Sequence, residues 1–251
     1  MEQEYKLKLI GEEIENYKIE ERIWQGGTST IYRGICENGI FGKVVAIKVL
    51  HPYRTESYQI KNFKKEFKIL KKLSHPNVIK VYKIGKEGNL YYFIMEYIDG
   101  KSLRNFYEKN SEIFSQSILY ILIKTGEGIE YIHSKKIVHN DIKPENVIVG
   151  NNLKDVKIID FGYAEKIGFL KRRNNLTGGT EQYVAPERKK GFIDFKSDIY
   201  SYCVMLEEYL SIFDFYEEIY PIINLGKSED LTKRPEIEDI LNVLRKIYNK
   251  G

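Results

Sequence analysis

The stretch Ile137–Gly162, IVHNDIKPENVIVGNNLKDVKIIDFG, limits what this chain can fold into more than any other. Two β-rich runs, Val147–Val149 and Val156–Ile159, are separated by Gly150-Asn151-Asn152, and apolar runs bounded by a Gly/Asn cluster predict a hairpin. In an antiparallel hairpin the start of one strand lies beside the end of the next. Asn146 precedes the first run and Asp160 follows the second, so both side chains are expected at the same end. A carboxamide and a carboxylate converging there suit Mg²⁺, which takes few protein oxygens and keeps its other positions for water and phosphate. Asp141, on the loop leading into the hairpin, could accept a proton from a hydroxyl, and Lys143 could neutralise charge on a transferring group. Pro144 restricts this connection to extended or turn conformations. By itself the segment also suits an ordinary hairpin with polar ends.

Elsewhere, charge inside apolar patterns is the informative signal. From Tyr17 the chain reads as strands: YKIEERIW, IYRGI, VVAIKVL, then VIKVYKIG and NLYYFIMEYI. Lys48 lies in the otherwise apolar VVAIKVL, where a lysine either snorkels from an edge or meets an anion inside. In FKKEFKILKKL, Phe63, Phe67 and Leu70 make a helical stripe, and Glu66 shares its face. A carboxylate in an apolar stripe requires a partner, and Lys48 is the candidate. Gly26 and Gly27, in the turn Gln25–Thr30, let backbone N–H groups approach a phosphate, although a plain hairpin is the default for such a turn. After Gly100 the pattern turns helical, with a short helix at Ser102–Lys109 and a longer one at about Phe114–Ser134. Gly126 and Gly128 weaken the longer helix by about 1 kcal/mol each relative to alanine, so tertiary packing must hold it. Asp198 opens the apolar run IYSYCVML as a candidate helix cap, and Ile237–Tyr248 reads as the last helix. His133 and His139 read as structural residues, not metal ligands.

The central stretch resembles the catalytic and metal-binding segments of protein kinases. H-R-D-x-K-P-x-N appears as His139-Asn140-Asp141-Ile142-Lys143-Pro144-Glu145-Asn146, and D-F-G as Asp160-Phe161-Gly162. The resemblance runs from about Tyr17 to Tyr248. It implies an α+β, two-lobed protein-kinase-like fold: a small β-rich N-lobe with one key helix (about 17–95), a hinge (about 96–100) and a larger, mainly helical C-lobe (about 101–250). Residues 1–16 would be a lead-in. It implies ATP held between the lobes, with Mg²⁺, or Mn²⁺ in its place, on Asn146 and Asp160. Asp141 would orient the substrate hydroxyl, Lys143 would stabilise the moving phosphoryl group, and Lys48 bridged to Glu66 would position the α- and β-phosphates. Gly26 and Gly27 would lie at the phosphates, in a glycine-rich loop whose first and third glycines are replaced by Trp24 and Ser29. Ile23, Ile31, Ala46 and Ile148 would line the base pocket with Met95 at its back, and the backbones of Glu96 and Ile98 would hydrogen-bond the base. His139 would pack under Phe161, Asp198 would brace the catalytic loop, and Glu187 of Ala185-Pro186-Glu187 would pair with Arg234.

Lys143 and Thr180 match the serine/threonine branch, implying a protein substrate with Ser or Thr. Asn140 stands where regulated kinases carry an arginine that senses activation-segment phosphate, so a strict need for phosphorylation at Thr177 or Thr180 is not expected. Between Leu210 and Arg234 the connection is shorter than usual and lacks a clear G-helix signature, implying a reduced or altered docking surface. Two other readings compete: a catalytically weak nucleotide-binding pseudokinase scaffold, suggested by Trp24, Ser29 and Asn140, and a small-molecule phosphotransferase, suggested by His139-Asn140-Asp141 and the trimmed second lobe. The totals agree with an enzyme of this class. With 251 residues and 42% hydrophobic content the chain can bury a core, and 30% charged residues favour solubility. A net charge of +4, with Lys171-Arg172-Arg173 as the one basic cluster, does not suggest nucleic acid. Cys36 and Cys203 make no disulfide framework, and no run approaches a membrane span or secretory h-region, so a cytoplasmic location is expected. Oligomeric state is not legible from the sequence.

Overall fold

The computed structural model describes residues 9–52, 57–109, 114–168 and 181–250; Lys171-Arg172-Arg173, Thr177 and Thr180 lie outside the described residues. The chain divides into two compact units. One takes in residues up to Ser74 together with Ile79–Tyr97, and the other takes in His75–Val78 and the chain from Ile98. The architecture is α+β and two-lobed, with a smaller β-rich unit and a larger, mainly helical one.

In the first unit β1 (Glu13–Ile14), β2 (Tyr17–Gln25), β3 (Ser29–Ile35), β4 (Val44–Leu50), β5 (Val81–Glu87) and β6 (Leu90–Glu96) form one antiparallel sheet in the order β1-β2-β3-β4-β6-β5. Period-2 alternation puts Tyr17, Ile19, Tyr32, Val45, Ile47, Val49, Tyr92 and Ile94 in one buried cluster. β4 lies inside the sheet, and Val45 through Leu50 are all buried, which is why it reads as a nearly continuous apolar run. Helix α1 (Ser57–Leu70) sets Phe63 and Phe67 against Phe93, with ring centroids 4.9 and 5.9 Å apart.

The second unit contains β7 (Gly100–Ser102), α2 (Leu103–Lys109), α3 (Ser115–Ser134), β8 (Ile137–Val138), β9 (Val147–Gly150), β10 (Val156–Ile158), β11 (Glu165–Lys166), α4 (Pro186–Lys189), α5 (Phe195–Leu210), α6 (Tyr216–Gly226) and α7 (Ile237–Tyr248). The expected hairpin is present, with Val156 opposite Val149 and Ile158 opposite Val147, and β7 adds a third strand beside β9. His75–Val78 joins this unit because Asn77 donates to the Val156 carbonyl and accepts from the Ile158 N–H, each at 2.9 Å. Ile118, Ile121, Leu122, Thr125, Ile129 and Ile132 form the buried face of α3, as their spacing predicts. Its glycines mark close approaches. A Cβ on Gly126 would lie 2.6 Å from Leu241 Cδ2, and one on Gly128 would lie 2.9 Å from the Asn77 carbonyl oxygen. Packing thus holds this helix despite its glycines.

Two expectations need correction. Asp198 does not cap α5; Asp194 does, accepting from the Lys196 N–H, and Asp198 lies a turn inside. The connection after Leu210, which lacks a clear helix signature in the sequence, does carry a helix, α6, which buries Ile219 and Ile223. Pro221 within that helix hid the signal, since proline removes a backbone donor.

Glu187 and Arg234 make a buried bidentate pair, Nη1 to Oε1 at 2.7 Å and Nη2 to Oε2 at 2.9 Å. Arg234 also donates to the carbonyls of Ser228 and Lys196, so four of its five N–H donors are used. Burial pushes the Glu187 carboxyl up, but Arg234, a backbone N–H and the Ser197 hydroxyl outweigh it and leave the group below its usual 4.5. A carboxylate held low in the fold contributes stability above its unfolded value and loses that contribution as pH falls through the folded one. Arg234→Ala is expected to cost about 3–5 kcal/mol at neutral pH, the range for breaking a buried pair. The loss should shrink below the folded Glu187 value; denaturant unfolding at neutral and acid pH measures both, and equal losses would contradict the assignment.

Candidate active site

Residues 139–146 are organised around one carboxylate. Asp198 is fully buried, and its oxygens accept from the backbone N–H of His139 (2.8 Å), the backbone N–H of Asn140 (2.8 Å) and the ring of His133 (2.9 Å). Burial pushes this carboxyl up, but His133 and the His139 backbone N–H hold it below the ordinary range. An ionised carboxylate can stay buried when every lone pair meets a donor. Asn140 adopts a left-handed backbone (φ 66°), a conformation that asparagine tolerates better than most residues, and its Nδ2 donates to the Tyr163 carbonyl at 3.0 Å.

His139 is wedged edge-on against Phe161, with ring centroids 4.6 Å apart. Its Nδ1 accepts from the Asp141 N–H (3.3 Å) and its Nε2 faces the Ile159 carbonyl (3.1 Å), which places the ring hydrogen on Nε2. This histidine is structural, as its sequence context suggests. Asn146 donates through Nδ2 to both the backbone oxygen and Oδ2 of Asp141, at 2.8 Å each, and Lys143 Nζ lies 3.0 Å from the same Oδ2. Asp141 therefore has a fixed orientation. Burial raises its carboxyl above the usual value of 3.8, Lys143 opposes the rise, and Asp160 adds to it. The Ile159 N–H donates to the Asn146 carbonyl at 2.9 Å, so the residue preceding Asp160 is tied to Asn146 across the hairpin end. Asp160 also has a left-handed backbone (φ 59°).

In the first unit Lys48 Nζ lies 2.6 Å from Glu66 Oε1, with both side chains buried, as the charge-in-an-apolar-stripe argument requires. Ile31 stands opposite Lys48 on β3, and Ala46, two residues before Lys48, stands opposite Met95 on β6. Alternation puts Ala46 and Lys48 on one side of β4. Ile23 and Trp24 are about half exposed near the turn bearing Gly26 and Gly27. The Glu96 N–H donates to the Lys80 carbonyl. Ile98 and Ile148 belong to the second unit and are partly buried, with Ile148 opposite Ser102. Among the described residues no group of three His, Cys, Asp or Glu could hold a metal by itself.

Two features were not anticipated. Arg188, immediately after Glu187, is buried and lines a small cavity with Asn140, Asp141, Tyr183 and Ser201. The Oδ1 of Asn140 meets no donor among the described residues. Arg104 of α2 donates to Glu145 (3.0 Å), to the Tyr183 hydroxyl (2.6 Å) and to Glu208 of α5, tying the segment before β9 to two helices. The run A-P-E-R flags Arg188 only as a neighbour of a motif, and no periodicity flags Arg104.

The fold class and this constellation define a kinase-like domain. The protein kinase domain model matches residues 17–240, and the chain belongs to that family. It is 32% identical over 207 residues to the serine/threonine-protein kinase PrkC of Bacillus subtilis, covering 81% of this chain and 32% of that protein. A probable serine/threonine-protein kinase of Clostridium acetobutylicum is 32% identical over 204 residues (80% and 31%), and the probable serine/threonine-protein kinase PknB of Lactococcus lactis is 30% identical over 251 (91% and 40%). The chain spans about a third of the length of the curated relatives it matches. No helix among the described residues is long and apolar enough to cross a membrane.

Because Lys143 opposes the burial of Asp141, Lys143→Met should raise the Asp141 carboxyl further. Carboxyl ¹³C NMR titration of the two proteins should give a higher midpoint for the variant; an equal or lower midpoint would show that Lys143 does not hold Asp141 ionised.

Proposed function

We propose that the chain is an ATP-dependent serine/threonine protein kinase domain that moves the γ-phosphoryl group of Mg-ATP to a protein hydroxyl. The observation that carries this reading is the orientation of Asp141 by Asn146 and Lys143 on a loop anchored to a buried carboxylate. A carboxylate whose affinity for protons is raised by burial, yet which remains paired to a cation, suits accepting a hydroxyl proton. Lys143 beside it would meet charge developing on the transferred group. Lys48, oriented by Glu66, would hold the α- and β-phosphates. Gly26 and Gly27 would approach the triphosphate through their backbone. Ile23, Ile31, Ala46, Met95 and Ile148 would enclose the base, with the Glu96 and Ile98 backbones pairing to it. The names of the relatives support a Ser/Thr substrate.

Asn146 and Asp160 fit a magnesium ion, with manganese as a substitute. Asn146 directs Nδ2 to Asp141, which leaves Oδ1 to offer, and Asp160 adds a carboxylate just past the second strand, at the same open end of the hairpin. With no three-ligand acidic cluster among the described residues, such an ion would depend on phosphate oxygens. It would supply charge neutralisation on the phosphates. A scaffold without catalysis gives no reason for Lys48–Glu66 and the Asp141 cluster to be kept together, and the names of the relatives favour a protein substrate over a small molecule. The uncharged Asn140 supports activity without activation-segment phosphate, and we place the protein in the cytoplasm.

Phosphatase-treated protein given Mg-[γ-³²P]ATP and a generic protein substrate should label serine and threonine, and Asp141→Asn should lower the rate at least about 10²-fold with little change in melting temperature. Undiminished transfer by Asp141→Asn, or activity only after phosphorylation of Thr177 or Thr180, would contradict the respective part of the proposal.

A further inference from the structure

Trp24 stands at the end of β2, opposite Ile31, beside the turn that carries Gly26 and Gly27. Its indole folds across Gly26: a Cβ built there would lie 2.0 Å from the indole Cη2 and 2.6 Å from Cζ3. Nothing lies within 4 Å of the same position on Gly27, so one glycine is covered and its neighbour is open. Beneath the ring the turn is fixed. The Gly26 N–H donates to the Ser29 carbonyl, and the His51 N–H donates to the Thr28 carbonyl, both at 2.9 Å. Thr30 Oγ1 and His51 Nε2, both buried, are 2.8 Å apart at the base of the turn. Trp24 is 49% exposed, so much of its surface remains in water while its ring covers the backbone. A pinned turn with a half-exposed aromatic cover can open by side-chain rotation, with no backbone rearrangement.

We propose that Trp24 gates the nucleotide: its indole lies over Gly26, whose own N–H is already bonded to Ser29, and so blocks the face of the turn across which a phosphate would pass to the open Gly27 backbone until the ring swings away, and Trp24 thereby sets the affinity for a nucleoside triphosphate. This rests on the ATP-binding reading above. Only the open fraction of molecules is competent to bind, so a turn covered in about nine molecules of ten binds about tenfold more weakly than an open one. The chain's single tryptophan makes the movement directly visible.

The test combines calorimetric titration of Mg-ATP with tryptophan emission on the full chain, alongside Trp24→Gly and the bulk-retaining Trp24→Leu. In the wild type, emission should change with the same midpoint as the heat signal. Trp24→Gly should bind Mg-ATP about three- to tenfold more tightly, and Trp24→Leu by a smaller factor. Calorimetric binding with unchanged emission would overturn the gate and leave the ATP reading standing, as would equal or weaker binding by Trp24→Gly. If Trp24→Gly does not fold, the wild-type emission and Trp24→Leu titrations decide alone. No binding by any of the proteins would overturn both the gate and the ATP reading.

Discussion

A carboxylate without solvent is costly unless donors surround it, and the second unit depends on one. Asp198 satisfies two consecutive backbone N–H groups and an imidazole with its two oxygens. That requirement fixes the backbone at His139 and Asn140. It allows His139 to pack on Phe161 and to accept from the Asp141 N–H, and thus determines where Asp141 points. Asn146 and Lys143 then converge on one oxygen of Asp141. Most of these steps are polar contacts in places where water has little access, so failure of the first loosens those that follow. The smaller unit has its own version in Lys48 and Glu66, two buried charges that neither β4 nor α1 could carry alone.

How far the sequence revealed this follows from the range over which each signal acts. The hairpin was readable because strand alternation and a Gly/Asn turn are local. Lys48 and Glu66 were readable because a charge in an apolar pattern must have a partner, and each unit of pattern held one such charge. Glu187 and Arg234 carried no such pattern and were matched only through family resemblance. Asp198 was misread as a cap: its position near a helix start fits that role, and only the fold shows Asp194 filling it. Helix α6 was missed because Pro221 interrupts a short apolar repeat. Arg104, which meets Tyr183 and Glu208 across 79 and 104 residues, carries no sequence signal at all.

The departures from the family pattern gain a physical context. Asn140 occupies a left-handed conformation suited to asparagine and shares a small cavity with the buried Arg188, so the segment that lost one cation at position 140 lies beside another. Trp24, where a glycine is usual, covers a neighbouring glycine instead of leaving the turn open. Both changes leave the Asp198-centred network and the Lys48–Glu66 pair intact.

The dependence of the loop on Asp198 is tested most directly by amide hydrogen exchange over residues 137–146 in the wild type and Asp198→Asn. Asparagine keeps the shape but replaces one acceptor oxygen with a donor, so one of the three contacts must break. The wild type should protect the His139 and Asn140 amides, and the variant should exchange there at least about tenfold faster, with residues 81–96 of the other unit unchanged. Equal protection of this loop in both proteins would contradict the claim that the buried carboxylate holds it.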